Sequence, residues 1–387
     1  MRYKLVLISW LTAAWMLYSC DTNQETSDTL NYAVIKSELL KDSALHGQEH
    51  IIESIIQFYK KELPNQFSTR VIVESGAGNE VFLDALYDDQ IDSLREHSDE
   101  LSSIQIREMS DSQIVDEEYL IKSIRYALSS AGRYPWNESI PDSIFLNYLL
   151  PYKVIHEYPG TYWSFLEPYY RDSLSSWSSP SYTGFDARDA RWIQRSTALY
   201  PRELPMWWNY DPQAQTFTKY PSLHEILLLQ DGGCYLEAMI NVMILRSCGI
   251  PATVYEVPFW GSRNGSHAGD AFWSSKSQKM ITRYEWVVYD PEYYVRPTKV
   301  IRYTYRYTGA YSDHNAPYLN GEELQIPQMT RDHWCDATAD HTAVSEIKIS
   351  ICHKIAERMG LGYLYVMNYG EWVPVSYRNF ISLHNPK

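Results

Sequence analysis

The sequence predicts an α+β protein, and three observations carry that expectation. Apolar residues recur at helical spacing through the first half of the chain. Near the middle lies one helix that is apolar almost all round, and after it the pattern changes to short strand-like runs separated by polar, Gly- and Ser-rich turns. The expected layout is a helical N-terminal region over 31–200, a central core over 201–330 in which one helix is followed by an antiparallel sheet, and a small β-rich C-terminal domain over 331–387.

Residues 1–19 read as an export signal, because Arg2 and Lys4 precede an apolar run from Leu5 to Tyr18 that stops at Cys20. That run is too short to span a bilayer comfortably. Leu17-Tyr18-Ser19-Cys20 resembles the lipobox of bacterial lipoproteins, which implies cleavage ahead of Cys20 and lipidation of that cysteine. The acidic, polar residues 20–30 then read as a tether. The location expected is the cell envelope, lipid-anchored to a membrane, either periplasmic or at the outer-membrane surface.

The formal net charge is −14, and removal of Arg2 and Lys4 with the signal makes it −16. An acidic body argues against nucleic acid or anionic lipid as its partner. With 45% hydrophobic and 14% aromatic residues, the chain can build more than one core. Beyond Cys20, the cysteines Cys234, Cys248, Cys335 and Cys352 form neither C-x-x-C pairs nor a dense pattern, so a disulfide scaffold is not expected. Cys335 and Cys352 read equally as one bridge or as two partly buried thiols.

In the N-terminal region Ile51, Ile52, Ile55, Ile56 and Tyr59 mark one helix, and Leu120, Ile121, Ile124 and Leu128 another. In the core the order is a helix from Cys234 to Cys248, a strand from Ala252 to Phe259, a Gly/Ser/Asn loop, a strand from His267 to Trp273, a polar turn, and a strand from Tyr284 to Asp290. At the C-terminal end Ile347, Ile349 and Ile351 alternate, and the runs Tyr363–Val366 and Trp372–Val375 flank Asn368-Tyr369-Gly370-Glu371, so the end reads as β-rich.

Cys234 carries the first chemical signal. With Asp231 or Gly232 as N-cap it falls in the first helical turn, where unpaired N–H groups and the positive end of the macrodipole favour a thiolate. Gly232 and Gly233 before it permit close approach of backbone or substrate. Cys248, at the negative end of the same helix, reads as structural. A hairpin turn centred near Gln278 would set His267 opposite Asp290, with Cβ atoms about 5 Å apart, near enough for a carboxylate to orient an imidazole. Asp270 is the alternative acid. It lies three residues from His267 and faces the other way, unless Gly269 forms a bulge.

Gly233-Cys234, Leu245-Arg246-Ser247-Cys248-Gly249-Ile250-Pro251-Ala252, Ser266-His267 and Trp286-Val287-Val288-Tyr289-Asp290 together resemble the transglutaminase-like superfamily of papain-type thiol enzymes. The whole layout is similar to the exported transglutaminase-domain lipoproteins of Bacteroidetes. The resemblance implies that Cys234 attacks an amide carbonyl, that His267 activates the thiol and protonates the leaving nitrogen, and that Asp290 holds the imidazole tautomer. It also implies an upstream oxyanion donor, for which Gln230, Trp207 and Trp208 compete. From the residues themselves, Trp207, Trp208 and Trp260 read either as aromatics of a substrate cleft or as the packing aromatics that strands and interfaces favour.

The expected function is therefore a thiol-dependent amide hydrolase or acyltransferase, hydrolysis preferred to cross-linking, acting on a peptide, protein or glycopeptide without a cofactor. The competing expectation is a binding module that keeps the fold without turnover. His46-Gly47-Gln48-Glu49-His50 matches a zinc-peptidase pattern but reads as a solvated helix start, so no metal is expected. Gly261 to Ser266 precedes a strand rather than a helix and reads as a mobile cleft rim, not a phosphate loop.

Overall fold

The computed structural model describes residues 30–74, 80–82, 104–134, 140–175, 220–223, 225–226, 234–261, 264–282, 297–308, 333–344, 361–368 and 370–379. It is a mixed α and β protein whose chain divides into two compact units. The first takes the chain up to Arg125 with 156–161 and 201–232; the second takes 126–155, 162–200 and 233–387.

In the first unit α1 (Tyr32–Leu40) is N-capped by Asn31, whose side chain accepts from the Val34 N–H. In α2 (Glu49–Glu62), Ile52, Ile55, Ile56 and Tyr59 are buried, as their spacing predicts. A sheet, which the helical reading of 31–200 does not include, interrupts the helices here. β1 (Phe67–Glu74), β2 (Glu80–Phe82) and β3 (Ile104–Ser110) form an antiparallel sheet in the order β2-β1-β3. Thr69, Val71, Ile72 and Val73 explain it: branching at Cβ restricts χ1 and suits the pleat, whereas a short apolar run carries no period of its own. A short helix α3 (Asp111–Ile114) follows, and α4 (Glu117–Ala131) belongs to the first unit as far as Arg125.

The second unit contains the last turns of α4, then α5 (Asp142–Tyr148), α6 (Tyr162–Ser175) and α7 (Cys234–Ser247). Every residue of α7 from Ala238 to Ser247 is buried, which is what its all-round apolar pattern demands. The helix stops in a Schellman motif: Ile250 N–H donates to Leu245 O and Gly249 N–H to Arg246 O, with Gly249 at φ 74°. Pro251 follows. The one strongly basic residue of α7, Arg246, is almost fully buried, and it donates to the carbonyls of Ala252 (2.8 Å), Lys153 (2.6 Å) and Pro151 (3.3 Å). Those three acceptors, together with the negative helix end, hold its charge in the interior.

The sheet of this unit is antiparallel, in the order β6-β5-β4-β7-β8, from β4 (Ala252–Val257), β5 (His267–Ser274), β6 (Lys279–Thr282), β7 (Ile301–Tyr303) and β8 (Trp334–Asp336). It thus runs across the boundary expected at residue 330. Strand alternation gives it two faces. The even-numbered residues of β4 and β5 turn to α7, where the Tyr235 hydroxyl donates to Glu256 and Asn241 donates to Asp270. The odd-numbered residues Tyr255, Val257, Ala271 and Trp273 join Trp260, Met280, Val300 and Tyr148 of α5 in a second core on the other face. Asp336 caps a short helix α8 (Thr338–His341) by accepting from the Thr338 N–H.

The two apolar runs near the C-terminal end form a hairpin. β9 (Leu361–Asn368) pairs with β10 (Glu371–Asn379), Asn368 stands opposite Glu371, and Gly370 takes φ 82° in the two-residue turn. Residues 347–351 lie outside the described residues. Among the described residues no helix is long and apolar enough to cross a membrane.

Candidate active site

Cys234 is the first residue of α7, as expected. The sheet then brings a donor to it. Trp273 N–H donates towards β4, to Pro251 O, so alternation turns the N–H groups of the even-numbered residues of β5 to the opposite edge. There Ala268 N–H donates to Cys234 Sγ at 3.3 Å. The thiol is thereby set against the residue that follows His267 directly in the chain.

The expectation of an acidified thiol is overturned. Burial pushes the Cys234 thiol above its ordinary value; the Ala268 N–H acts the other way, and Glu237 and Glu256 add to the rise. Removing a thiolate from water costs more than the neighbouring N–H dipoles return. Cys248 behaves as the structural thiol it was expected to be, fully buried with its thiol pushed far up by burial. Cys335 is a free thiol, also pushed up by burial; Cys352 lies outside the described residues.

His267 begins β5, half-buried, with its side chain on the face shared with Tyr255 and Trp260 rather than on the α7 face, so what links it to Cys234 is the strand edge at Ala268. The Trp260 ring stacks on it at 6.0 Å between centroids and 23° between planes, and Tyr255 meets it edge-on at 6.2 Å. Trp260 is 1% exposed, which decides between its two readings: it is a packing partner of the histidine and not an aromatic of an open cleft. The loop ends next to it are not a free rim either. Trp260 N–H donates to Gly265 O, and Gly265 N–H donates to Asn368 Oδ1.

Gly269 makes no bulge, since the β4–β5 register is unbroken from Val257↔His267 to Ala252↔Phe272. A side chain there would instead strike the Tyr255 ring, with a Cβ only 2.5 Å from its hydroxyl oxygen. The unbroken register leaves Asp270 on the α7 face, buried against Asn241 and turned away from His267. This counts against Asp270 as the orienting acid. The pairing Ser274↔Lys279, Trp273↔Met280, Phe272↔Ile281 and Ala271↔Thr282 centres the hairpin between Lys276 and Ser277, not near Gln278. The register that set Asp290 opposite His267 is therefore displaced, because Gln278 enters the left-handed region at φ 53° and closes a four-residue loop earlier than expected. Asp290, Gln230, Trp207, Trp208 and the anchor Cys20 lie outside the described residues.

His46 and His50 do not share a helix face, since Gly47 at φ 83° separates them and α2 starts at Glu49. No group of metal-ligating side chains occurs among the described residues. Two residues at the site were missed by sequence reasoning. Tyr255 reads as an ordinary strand aromatic, and Asn368 lies about a hundred residues from the loop it binds. The chain matches no family model, no curated protein and no solved structure.

Proposed function

We propose that the protein is a thiol enzyme of the cell envelope that acts at amide bonds, with Cys234 as nucleophile and His267 as its base. The observation that carries this reading is the 3.3 Å contact between the Ala268 N–H and Cys234 Sγ, which ties the helix-start thiol to the strand that opens with the histidine. In this reaction the Cys234 sulfur bonds to the amide carbonyl carbon and its proton passes to His267. The C–N bond then breaks as the amine takes up that proton, and water cleaves the thioester to restore the thiol. The role of orienting His267 stays with Asp290 on the likeness of Trp286-Val287-Val288-Tyr289-Asp290 to the superfamily alone, since the hairpin register no longer supports it. The substrate class is peptide, protein or glycopeptide, and lipidated Cys20 holds the body at the membrane.

A thiol raised by burial does not stand ionised at neutral pH, so the base has to supply the activation. That makes a direct test. With a thiol-selective electrophile and peptide mass spectrometry, Cys234 labels faster than Cys248 and Cys335, and His267→Ala removes the difference. A peptide and glycopeptide library is cleaved by the parent chain and not by Cys234→Ala. If Cys234 labels no faster than Cys335, and no cleavage depends on it, the non-catalytic binding module is the correct reading.

A further inference from the structure

His267 lies against two rings, and the two rings are held by different means. Tyr255 occupies the space that Gly269 leaves by having no side chain. Trp260 is held through its backbone. Its N–H donates to Gly265 O at 3.1 Å, closing the loop from 260 to 265, and Gly265 sits at φ 98°, a conformation that only glycine adopts without strain. The pair that closes this loop has one carbonyl and one N–H remaining. Asn368, the last residue of β9, takes both: its Nδ2 donates to Trp260 O at 3.1 Å and its Oδ1 accepts from Gly265 N–H at 3.2 Å. A side-chain amide supplies donor and acceptor from one planar group without titrating, and these two partners fix which end is nitrogen. Asn368 is 1% exposed although it stands at a hairpin turn, where an asparagine is ordinarily solvated.

We propose that Asn368 is a positioning residue for His267, acting through Trp260, so that the C-terminal hairpin is part of the candidate active site. The inference rests on His267 being the base for Cys234. An imidazole turns about two torsions, and a ring stacked on its face restricts both. Releasing the Trp260 carbonyl lets that ring shift, and the population of histidine rotamers able to reach the thiol proton falls with it.

The experiment uses the full chain as parent, His267→Ala, Asn368→Asp, Asn368→Ala and, as a hairpin control, the exposed Glu371→Gln. Iodoacetamide labelling of Cys234 is followed from pH 5.5 to 9.5, with Cys335 in the same sample as internal reference and a thermal melt of each variant. Asn368→Asp keeps the size and the acceptor but sets a carboxylate oxygen against the Trp260 carbonyl. Both Asn368 variants are expected to slow Cys234 labelling at neutral pH by about ten-fold, a part of what a general base contributes. They shift its pH profile towards that of His267→Ala, leave Cys335 unchanged, and leave Glu371→Gln like the parent. In a Trp260→Phe background the Asn368→Asp effect shrinks, because the two changes lie on one route.

An unchanged Cys234 profile in the Asn368 variants overturns the inference while the Cys-His reading stands. Equal slowing of Cys234 and Cys335, with a lowered melt, also overturns it and assigns Asn368 a purely structural role. A parent chain in which His267→Ala changes nothing overturns the Cys-His reading itself, and the inference with it.

Discussion

His341 makes the second unit sensitive to acid, and the size of the effect can be worked from its surroundings. It ends α8 with its ring tilted against Tyr255 at 5.6 Å, and its Nε2 is buried without a hydrogen-bond partner. Burial pushes the imidazole down to about 4; the charge of Arg302 adds to this, Asp340 opposes it, and Lys279 adds a smaller push down. The unfolded chain takes up this proton near the ordinary value of 6.5, whereas the folded chain does so only near 4. Stability is therefore complete above about pH 6.5 and falls as the pH drops, by about 1.4 kcal/mol per pH unit and about 3 kcal/mol in all. His341→Phe keeps a ring against Tyr255 and has nothing to protonate. Urea unfolding of the two chains, followed by tryptophan fluorescence at steps from pH 7.5 to 4.5, reads the difference and cancels the carboxylates they share. The variant is at least as stable as the parent at pH 7.5, since it loses an unpaired buried nitrogen, and gains on it steadily below pH 6.5. Parallel curves down to pH 4.5 would refute the reasoning.

Arg246→Met leaves the carbonyls of Ala252, Lys153 and Pro151 without their shared donor, and is expected to cost about 3–5 kcal/mol in chemical denaturation. A loss below 1 kcal/mol would mean that water or a rearranged backbone takes the place of the guanidinium. Gly269→Ala should cost about 1–3 kcal/mol, the range for overpacking a well-filled core. Tyr255→Phe does not rescue it, because ring carbons stand as close to the added methyl as the hydroxyl does; Tyr255→Leu rescues it in part. Gln278→Gly relieves a left-handed residue and should raise the melting temperature through a gain of about 1 kcal/mol.

The parts of the site that could be read from the sequence are those whose causes are local. α7 is legible because a helix apolar on every side has nowhere to go but the interior, and because two glycines precede Cys234. The strands of the C-terminal hairpin are legible as two apolar runs, though not their pairing. The β5–β6 hairpin is legible in kind but not in register: a left-handed glutamine at 278 gives no composition signal, and a loop displaced by two residues moves every cross-strand partner by four. β1 is hidden for a related reason, since Val71-Ile72-Val73 is too brief to show a period. Trp260 stays undecided and Asn368 is missed because their roles depend on tertiary neighbours. An exposed cleft tryptophan and a buried one look alike in sequence, and an asparagine beside a turn gives no hint that it clamps a loop a hundred residues away.

The two cysteines of α7 sharpen what the candidate nucleophile requires. Helix position alone set Cys234 and Cys248 apart, yet burial pushes both thiols in the same direction. What separates them is the donor that meets each sulfur: Ala268 N–H comes to Cys234 from the strand of His267, whereas the Ser247 hydroxyl beside Cys248 gives its proton to Ile244 O. The N–H groups of Ala268 and of Cys234 itself do not offset desolvation of an anion, so the resting species at neutral pH is the thiol. Reactivity then belongs to the Cys234–His267 pair and not to the cysteine. In His267→Ala the labelling rate of Cys234 should keep climbing with pH, with no plateau until the thiol titrates above its ordinary value near 9. A plateau below pH 8 in that variant would mean that the helix N-terminus ionises the thiol unaided, and the role given to His267 would have to be withdrawn.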